Sequence, residues 1–577
     1  MKSASRKGIG SPCRRLAFLW PFMPGALLAG FCWSCWAQEV DDRPGAWRIT
    51  PRLGIGATYS DNINLAPANE AEDDLVLQVD PGVSVRKRGG RLDLRLDYTA
   101  RGLLYANNGD ANELNNELLA FGTAELYDKH LFLDAYGSIS QVPVTSGGRT
   151  DAGSLGAGGA SPGLELFNDV DFGLPGAAGL FNFADVFSDI ALTNNQATAH
   201  RFGISPYWRQ TFGGWVDLSL RYRYDDVFYD DEEDDIDDQQ PDRQVSTSDS
   251  QTHTIELNLA NGRRSDRLQW TLDYFYQRQE QDEESTTDVT DNGDDRRESV
   301  VGQLNYRLNR RWALLAEAGY EDNQVADFEN SRDGAYWGLG AMWSPNRFVE
   351  LKGLYGPDLN EMALRWNPSV RTNLEISRRD QDVGVDPGVR WQGLFSHRTR
   401  RSTWSASYID EVTNNQQLLG SGLLGVGPDG QPLPLDEQGQ VVLDEGPFGL
   451  SDRNFRRKRF DAGVIYRRGP TGLLVSVFNE DREGQDPASD ESTQGASALW
   501  TWRFAPRTAS FLGAGWGHDD LSEDRQNDYW VSIIGLARVF TPDSGGLISY
   551  RYYRNDADPA EQGFRENRFN IRFNMQF

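Results

Sequence analysis

From Trp47 onward, odd positions carry Trp47, Ile49, Pro51, Leu53, Ile55, Ala57 and Tyr59, while Arg48, Thr50, Arg52, Gly54, Gly56 and Thr58 fill the even ones. Period two with one apolar face predicts a strand. Leu92, Leu94, Leu96, Tyr98 and Ala100 alternate in the same way with Asp93, Arg95, Asp97, Thr99 and Arg101, and Val216, Leu218, Leu220, Tyr222 and Tyr224 with Asp217, Ser219, Arg221, Arg223 and Asp225. Soluble strands centre on about five or six residues, whereas a tilted strand needs about 9–11 to cross a bilayer. These runs reach the longer class. Beyond the N-terminal segment no 18 consecutive residues are apolar, so no helical span is expected there.

The links between strands separate a membrane barrel from a soluble sandwich. Short ones fall at 87–90, 128–130, 212–214, 262–266, 309–311, 344–346, 367–369, 397–401, 468–472, 505–507 and 541–545. Long polar ones fall at 60–74, 107–116, 230–250, 280–298, 413–454 and 519–527. Tight periplasmic turns alternating with longer extracellular loops mark an outer-membrane barrel. The expected fold is therefore an all-β, transmembrane, antiparallel up-and-down barrel of about 24 strands (range 20–26), with both ends of residues 38–577 on the periplasmic side. The pattern is weakest across 359–395, where Pro357, Pro368 and Pro387 interrupt it. Loops at about 142–196 and 413–454 are long enough to fold into the lumen. The first carries Phe172, Phe181, Phe183 and Phe187, and the second two similar octads at 429–436 and 437–444.

Composition and charge then sharpen this picture. The 577 residues have a net charge of −28, which leaves no basic face for nucleic acid. Residues 1–37 read as a secretory signal peptide: Lys2, Arg6, Lys7, Arg14 and Arg15, an apolar run over 16–36, then Ala37 before a cleavage at Gln38. A retained helix is the alternative. All three cysteines, Cys13, Cys32 and Cys35, lie in that segment, and removing its five basic residues takes −28 to −33. Disulfides and thiolate metal sites are thus excluded from 38–577. Short turns lean basic (Arg86, Lys87, Arg88; Arg263, Arg264; Arg310, Arg311; Arg398, Arg400, Arg401), while long loops are acidic, most densely over 230–242. That acidic run reads as solvated loop tips or diffuse divalent-cation binding. Tyr59, Tyr105, Tyr136, Tyr229, Tyr276, Tyr320, Tyr355, Tyr408, Tyr466 and Trp516 are expected in interfacial girdles.

At the C-terminus Phe569, Ile571, Phe573, Met575 and Phe577 alternate with Asn570, Arg572, Asn574 and Gln576. This resembles the terminal signal read by the barrel assembly machinery, an expected partner alongside outer-membrane lipid.

Candidate chemistry is sparse. Gly159–Gly163 spells G-x-S-x-G and Gly420–Gly425 a dinucleotide fingerprint, but neither has the flanking strand and helix that give those motifs their geometry. His130, His200, His253, His397 and His518 have no zinc spacing and read as turn or interface residues. No catalytic, cofactor or metal residues are expected. The lumen is more informative. If apolar side chains face lipid, then Arg95, Asp97, Arg101, Asp217, Arg221, Arg223, Arg551 and Arg572 face inward, with Arg48, Arg52, Arg307, Arg365, Arg371, Arg459, Arg503, Asp93, Asp225 and Asp461. Two readings stay open: cross-strand pairs that stiffen the wall, or an arginine ladder conducting an anionic polymer.

A resemblance adds to this. Ile49-Thr50-Pro51, Thr58-Tyr59-Ser60-Asp61-Asn62-Ile63-Asn64-Leu65, Leu96-Asp97-Tyr98, Tyr105-Ala106-Asn107-Asn108, Phe132-Leu133-Asp134-Ala135, Ser205-Pro206-Tyr207, Leu220-Arg221-Tyr222-Arg223-Tyr224, 396–402 and Ser476-Val477-Phe478-Asn479-Glu480 together resemble the uncharacterised outer-membrane protein family associated with PEP-CTERM/exosortase systems. The glycine-rich insertion after Gln141 and the octad loop depart from its pattern. The resemblance implies a non-enzymatic outer-membrane barrel, a conduit or structural partner in exopolysaccharide export, with anionic exopolysaccharide and periplasmic export components as partners. The alternatives are a passive plugged scaffold, an adhesion or display protein, and an outer-membrane hydrolase.

Overall fold

A computed structural model describes residues 47–143, 174, 180, 196–230, 249–265, 267–281, 295–325, 328, 330–414, 454–484, 490–521, 525–558 and 563–577. The signal segment, including Ala37 and Gln38, lies outside the described residues, as do the acidic run 231–242, the two motif spellings, the four phenylalanines of the first long loop and both octads.

The described residues form 24 strands in sequence order. They are β1 Trp47–Ser60, β2 Asp74–Lys87, β3 Leu92–Tyr105, β4 Glu113–Tyr127, β5 Leu131–Pro143, β6 Gln196–Phe212, β7 Val216–Asp230, β8 Ser250–Asn261, β9 Leu268–Gln281, β10 Asp295–Arg307, β11 Trp312–Gln324 and β12 Gly334–Asn346. The second half comprises β13 Val349–Tyr355, β14 Leu359–Ser369, β15 Thr372–Gln381, β16 Gly388–Arg398, β17 Ser402–Thr413, β18 Phe455–Arg468, β19 Thr471–Glu483, β20 Glu491–Ala505, β21 Thr508–Leu521, β22 Arg525–Thr541, β23 Ser544–Asp558 and β24 Phe564–Gln576. Each strand pairs antiparallel with its sequence neighbour, and β24 closes on β1 through Arg568↔Ser60 to Gln576↔Arg52. The protein is a closed, all-β, 24-stranded up-and-down transmembrane barrel. Every short turn expected from the sequence joins two strands at one end of it.

Pleating sends successive side chains to opposite sides. On β22, Ile533 is 2% exposed and its neighbour Ile534 is 55% exposed. A soluble protein would hide both, whereas a barrel wall presents one to lipid and one to the interior. The same outward, exposed placement holds for Ile49, Ile55, Leu220, Leu304, Leu314, Trp337, Trp404 and Phe460. Phe569, Ile571, Phe573 and Phe577 are exposed as well, and Met575 shares the parity of Phe573.

Two expectations need correcting. Tyr105 and Tyr136 are not girdle residues; both are buried on the inner face. Their parity accounts for this, since outward residues of β3 are even-numbered and those of β5 odd-numbered. Tyr229 pairs with buried Ala199 on the same inward parity. The long-short alternation also breaks where prolines had blurred it. Here β13 to β16 have only 7, 11, 10 and 11 residues, and their outer links are short, at 356–358 and 382–387. The wall is low on this side, and Arg332 in the β11–β12 link and Gly384 in the β15–β16 link meet through two backbone hydrogen bonds of 2.9 and 2.8 Å.

Inward glycines give the wall a further device. A Cβ at Gly203 would lie 2.0 Å from the Tyr136 ring, and one at Gly517 would lie 2.4 Å from Tyr529. The ring of one strand therefore occupies the space over the bare backbone of its neighbour. Such aromatic cover compensates for what a strand glycine lacks in packing.

Candidate functional site

The lumen is where chemistry-bearing side chains converge, and its wall divides into two sectors. Over most of the circumference the inner face is charged, with cations and carboxylates in near balance. Arg95 donates to Asp97 at 2.8 Å, and Asp97 also accepts from Ser84 and lies 3.8 Å from Arg52. Arg101 reaches Glu117 at 2.7 Å. Arg221 donates to Asp134 and Ser205, both at 3.1 Å, while its guanidinium sits 4.3 Å from the Tyr207 ring. Arg223 lies 3.4 Å from Glu256, and Arg572 donates to Asp80. Asp217 faces inward opposite Thr211.

Three clusters join groups that sequence reasoning had not linked. Glu566, 0% exposed, accepts from Ser60 at 2.6 Å, Arg568 at 2.7 Å and Arg551 at 3.1 Å, tying β1, β23 and β24 at the closing seam. Glu480 accepts from Arg457, Arg459 and Arg482, and Arg459 also binds Asp461. Arg379 bridges Glu317 and Glu361, and Lys352 approaches Glu361 at 2.7 Å. In a low-dielectric wall such charges are tolerable only when paired and hydrogen-bonded. Parity was the available signal, since Glu566 and Arg568 share the even numbering of inward Arg572.

The second sector, on the short-turn half of β19 to β23, is apolar inside. Leu474, Leu499, Phe511, Ile533, Val539 and Leu547 form one buried cluster, and two leucines from the link between β5 and β6, Leu174 and Leu180, pack into it. Asn574 Nδ2 donates to the Leu180 carbonyl at 2.8 Å. That link leaves and re-enters the wall at the long-loop end, whereas Asn574 pairs with Gly545, one residue from the β22–β23 turn at the other end. At about 3.3 Å per residue and a tilt near 40°, strands of this length span roughly 30 Å of barrel axis. The described part of this link therefore reaches deep into the lumen. Leu65, from the β1–β2 loop, seats on Tyr529, Val531, Tyr553 and Phe564 higher on the same side of the wall. An inward-folding loop was legible from length; its seat was not.

The histidines keep away from the lumen. His130 is in a turn, 3.0 Å from the Arg209 carbonyl. His200 stacks on Phe228 at 4.6 Å, His253 contacts Tyr222, His397 contacts Thr372, and His518 lies 3.0 Å from Asp528, all on outward parity. No group of three potential metal ligands occurs among the described residues.

A family described as "Protein of unknown function, DUF481" matches residues 243–415. No curated protein matches the chain. Similar solved structures include the siderophore receptor PirA from Pseudomonas aeruginosa (8% identity, 93% of this chain and 81% of that one, TM-score 0.42). The FrpB iron transporter from Neisseria meningitidis follows (10%, 93% and 83%, TM-score 0.44), as does the ferric-catecholate import receptor Fiu from E. coli (10%, 93% and 82%, TM-score 0.44). Agreement at this level carries no argument, and the barrel assignment rests on the closed strand register.

Proposed function

We propose that this protein is a non-enzymatic barrel of the bacterial outer membrane that works as a gated conduit, its gate being Leu174 and Leu180 of the β5–β6 link. The observation that carries this is the Asn574 to Leu180 hydrogen bond near the short-turn end. Burying each leucine is worth about 1.5–3 kcal/mol, enough to hold the segment down and small enough for a cargo or partner to reverse.

Polysaccharide is the cargo class, taken from the resemblance to exopolysaccharide-linked barrels. The inner wall refines that choice. Its arginines pair with carboxylates such as Asp134, Glu117, Glu256 and Glu566, which suits a hydroxyl-rich or weakly charged polymer better than a ladder for a dense polyanion. Periplasmic export components would meet the short-turn end, and the outer face of β24 is the segment offered to the assembly machinery.

Planar-bilayer recording tests the gate. The wild-type protein is expected to sit at low conductance, and Leu174→Asp with Leu180→Asp to raise it several-fold. Large, steady wild-type conductance would contradict the reading. Surface polysaccharide lost on deletion and restored by the wild-type chain supports the cargo; unchanged surface polysaccharide removes the cargo and leaves the gate standing.

A further inference from the structure

The short-turn end of the barrel carries cations set against exposed aromatic rings. Lys87 lies 4.7 Å from the ring of Trp47, its register partner, and both face outward. Arg264 stands 5.6 Å over Trp215 and Arg347 4.6 Å over Phe348, where the rings are 60% and 37% exposed. Arg507 donates to the carbonyl of Phe540 at 3.0 Å, and exposed Arg538 shares the outer face of β22 with Phe540. None of these five cations has a carboxylate within ion-pairing distance among the described residues. Acid is scarce there, with Asp128 and Asp543 the carboxylates of the described turns, and Asp128 is taken by Arg91.

Position decides what such a ring meets. The pairs are spread round the circumference, on β1–β2, the β6–β7 and β8–β9 turns, the β12–β13 turn and β20–β22. A polymer entering the mouth or a protein docking on one side touches some of them. A lipid leaflet touches all. An aromatic ring settles at the acyl–headgroup boundary, and a cation held above it lies at the depth of the phosphate. We propose that this rim binds the phosphodiester headgroups of anionic phospholipids in the leaflet on the periplasmic side, which fixes the barrel's depth and orientation. The inference rests on the transmembrane barrel with this end periplasmic and is independent of the gate.

The test uses the full-length protein in nanodiscs, with tryptophan quenching by brominated phosphatidylglycerol compared with brominated phosphatidylcholine. At roughly fivefold per cation near an anionic surface, the wild-type chain should favour phosphatidylglycerol by roughly fivefold or more, and high salt should erase the preference. The combined variant Lys87→Gln, Arg264→Gln, Arg347→Gln, Arg507→Gln and Arg538→Gln should lose it while still shifting on a detergent gel when heated. Equal quenching by both lipids in the wild type, or a preference undiminished in the variant, overturns the proposal. So does displacement of the lipid preference by a soluble acidic polysaccharide, which would make the rim a polymer site. Absence of any heat-induced shift in the wild type would instead sink the barrel reading itself.

Discussion

At the scale of single residues, the wall is held by charges that are buried together. Glu566 is the clearest case, because its two oxygens serve Ser60, Arg551 and Arg568 across the seam where the barrel closes. Glu566→Ala would take the carboxylate away from two buried guanidinium groups, and breaking a buried pair from one side costs about 3–5 kcal/mol. The temperature at which the compact band converts to the unfolded one on a detergent gel should drop markedly. Arg554→Gln, which removes an outer-face pair with Asp556, should leave it unchanged. Arg551 and Arg572 were legible as inward residues because their neighbours alternate cleanly. Glu566 was legible only by carrying that parity back from Arg572, since outward Arg565 and Asn567 are polar too and hide the local period.

At the scale of strands, one apolar face per strand explains why the turns could be placed from sequence, and why β22 could not be interpreted fully. There Val531, Ile533 and Ala537 point inward while Trp530, Ile534 and Leu536 point outward, so both faces are apolar. The extra apolar face exists because Leu65, Leu174 and Leu180, distant in sequence, cover it. Local pattern carries no record of such a partner. Aromatic cover of inward glycines is equally non-local. Gly517→Val should force the Tyr529 ring aside and cost about 1–3 kcal/mol in urea unfolding from detergent. Gly302→Val, where the nearest atom to a Cβ is 3.8 Å away, should be close to neutral. In the sequence the low β13–β16 wall shows only as an interruption, because prolines signal a break without saying whether a strand shortens or disappears.

For the whole molecule, the barrel presents an apolar belt outside, a lumen wall split between paired charge and a roofed apolar sector, a basic rim at the turn end and acidic sequence in the long links. This polarity was visible early, in the sorting of arginines to short turns and carboxylates to long ones. What the sequence could not supply was which loop enters the lumen and where it stops, since that depends on Asn574 meeting Leu180 across nearly four hundred residues (|i−j| = 394). Strand closure itself was legible because an even count with alternating link lengths brings β24 beside β1.

Everything above requires that adjacent residues of one strand face two different solvents. The direct measurement is spin-label accessibility in lipid bilayers, with single cysteines at the pairs Ser219 and Leu220, Gln303 and Leu304, and Ser476 and Val477, in a chain with Cys13, Cys32 and Cys35 replaced. Labels at 220, 304 and 477 should collide freely with lipid-dissolved oxygen and be shielded from a water-soluble nickel complex, while those at 219, 303 and 476 should show no such preference for oxygen. Equal, nickel-dominated accessibility at both members of each pair would mean that the apolar face meets water, and the transmembrane barrel would be wrong.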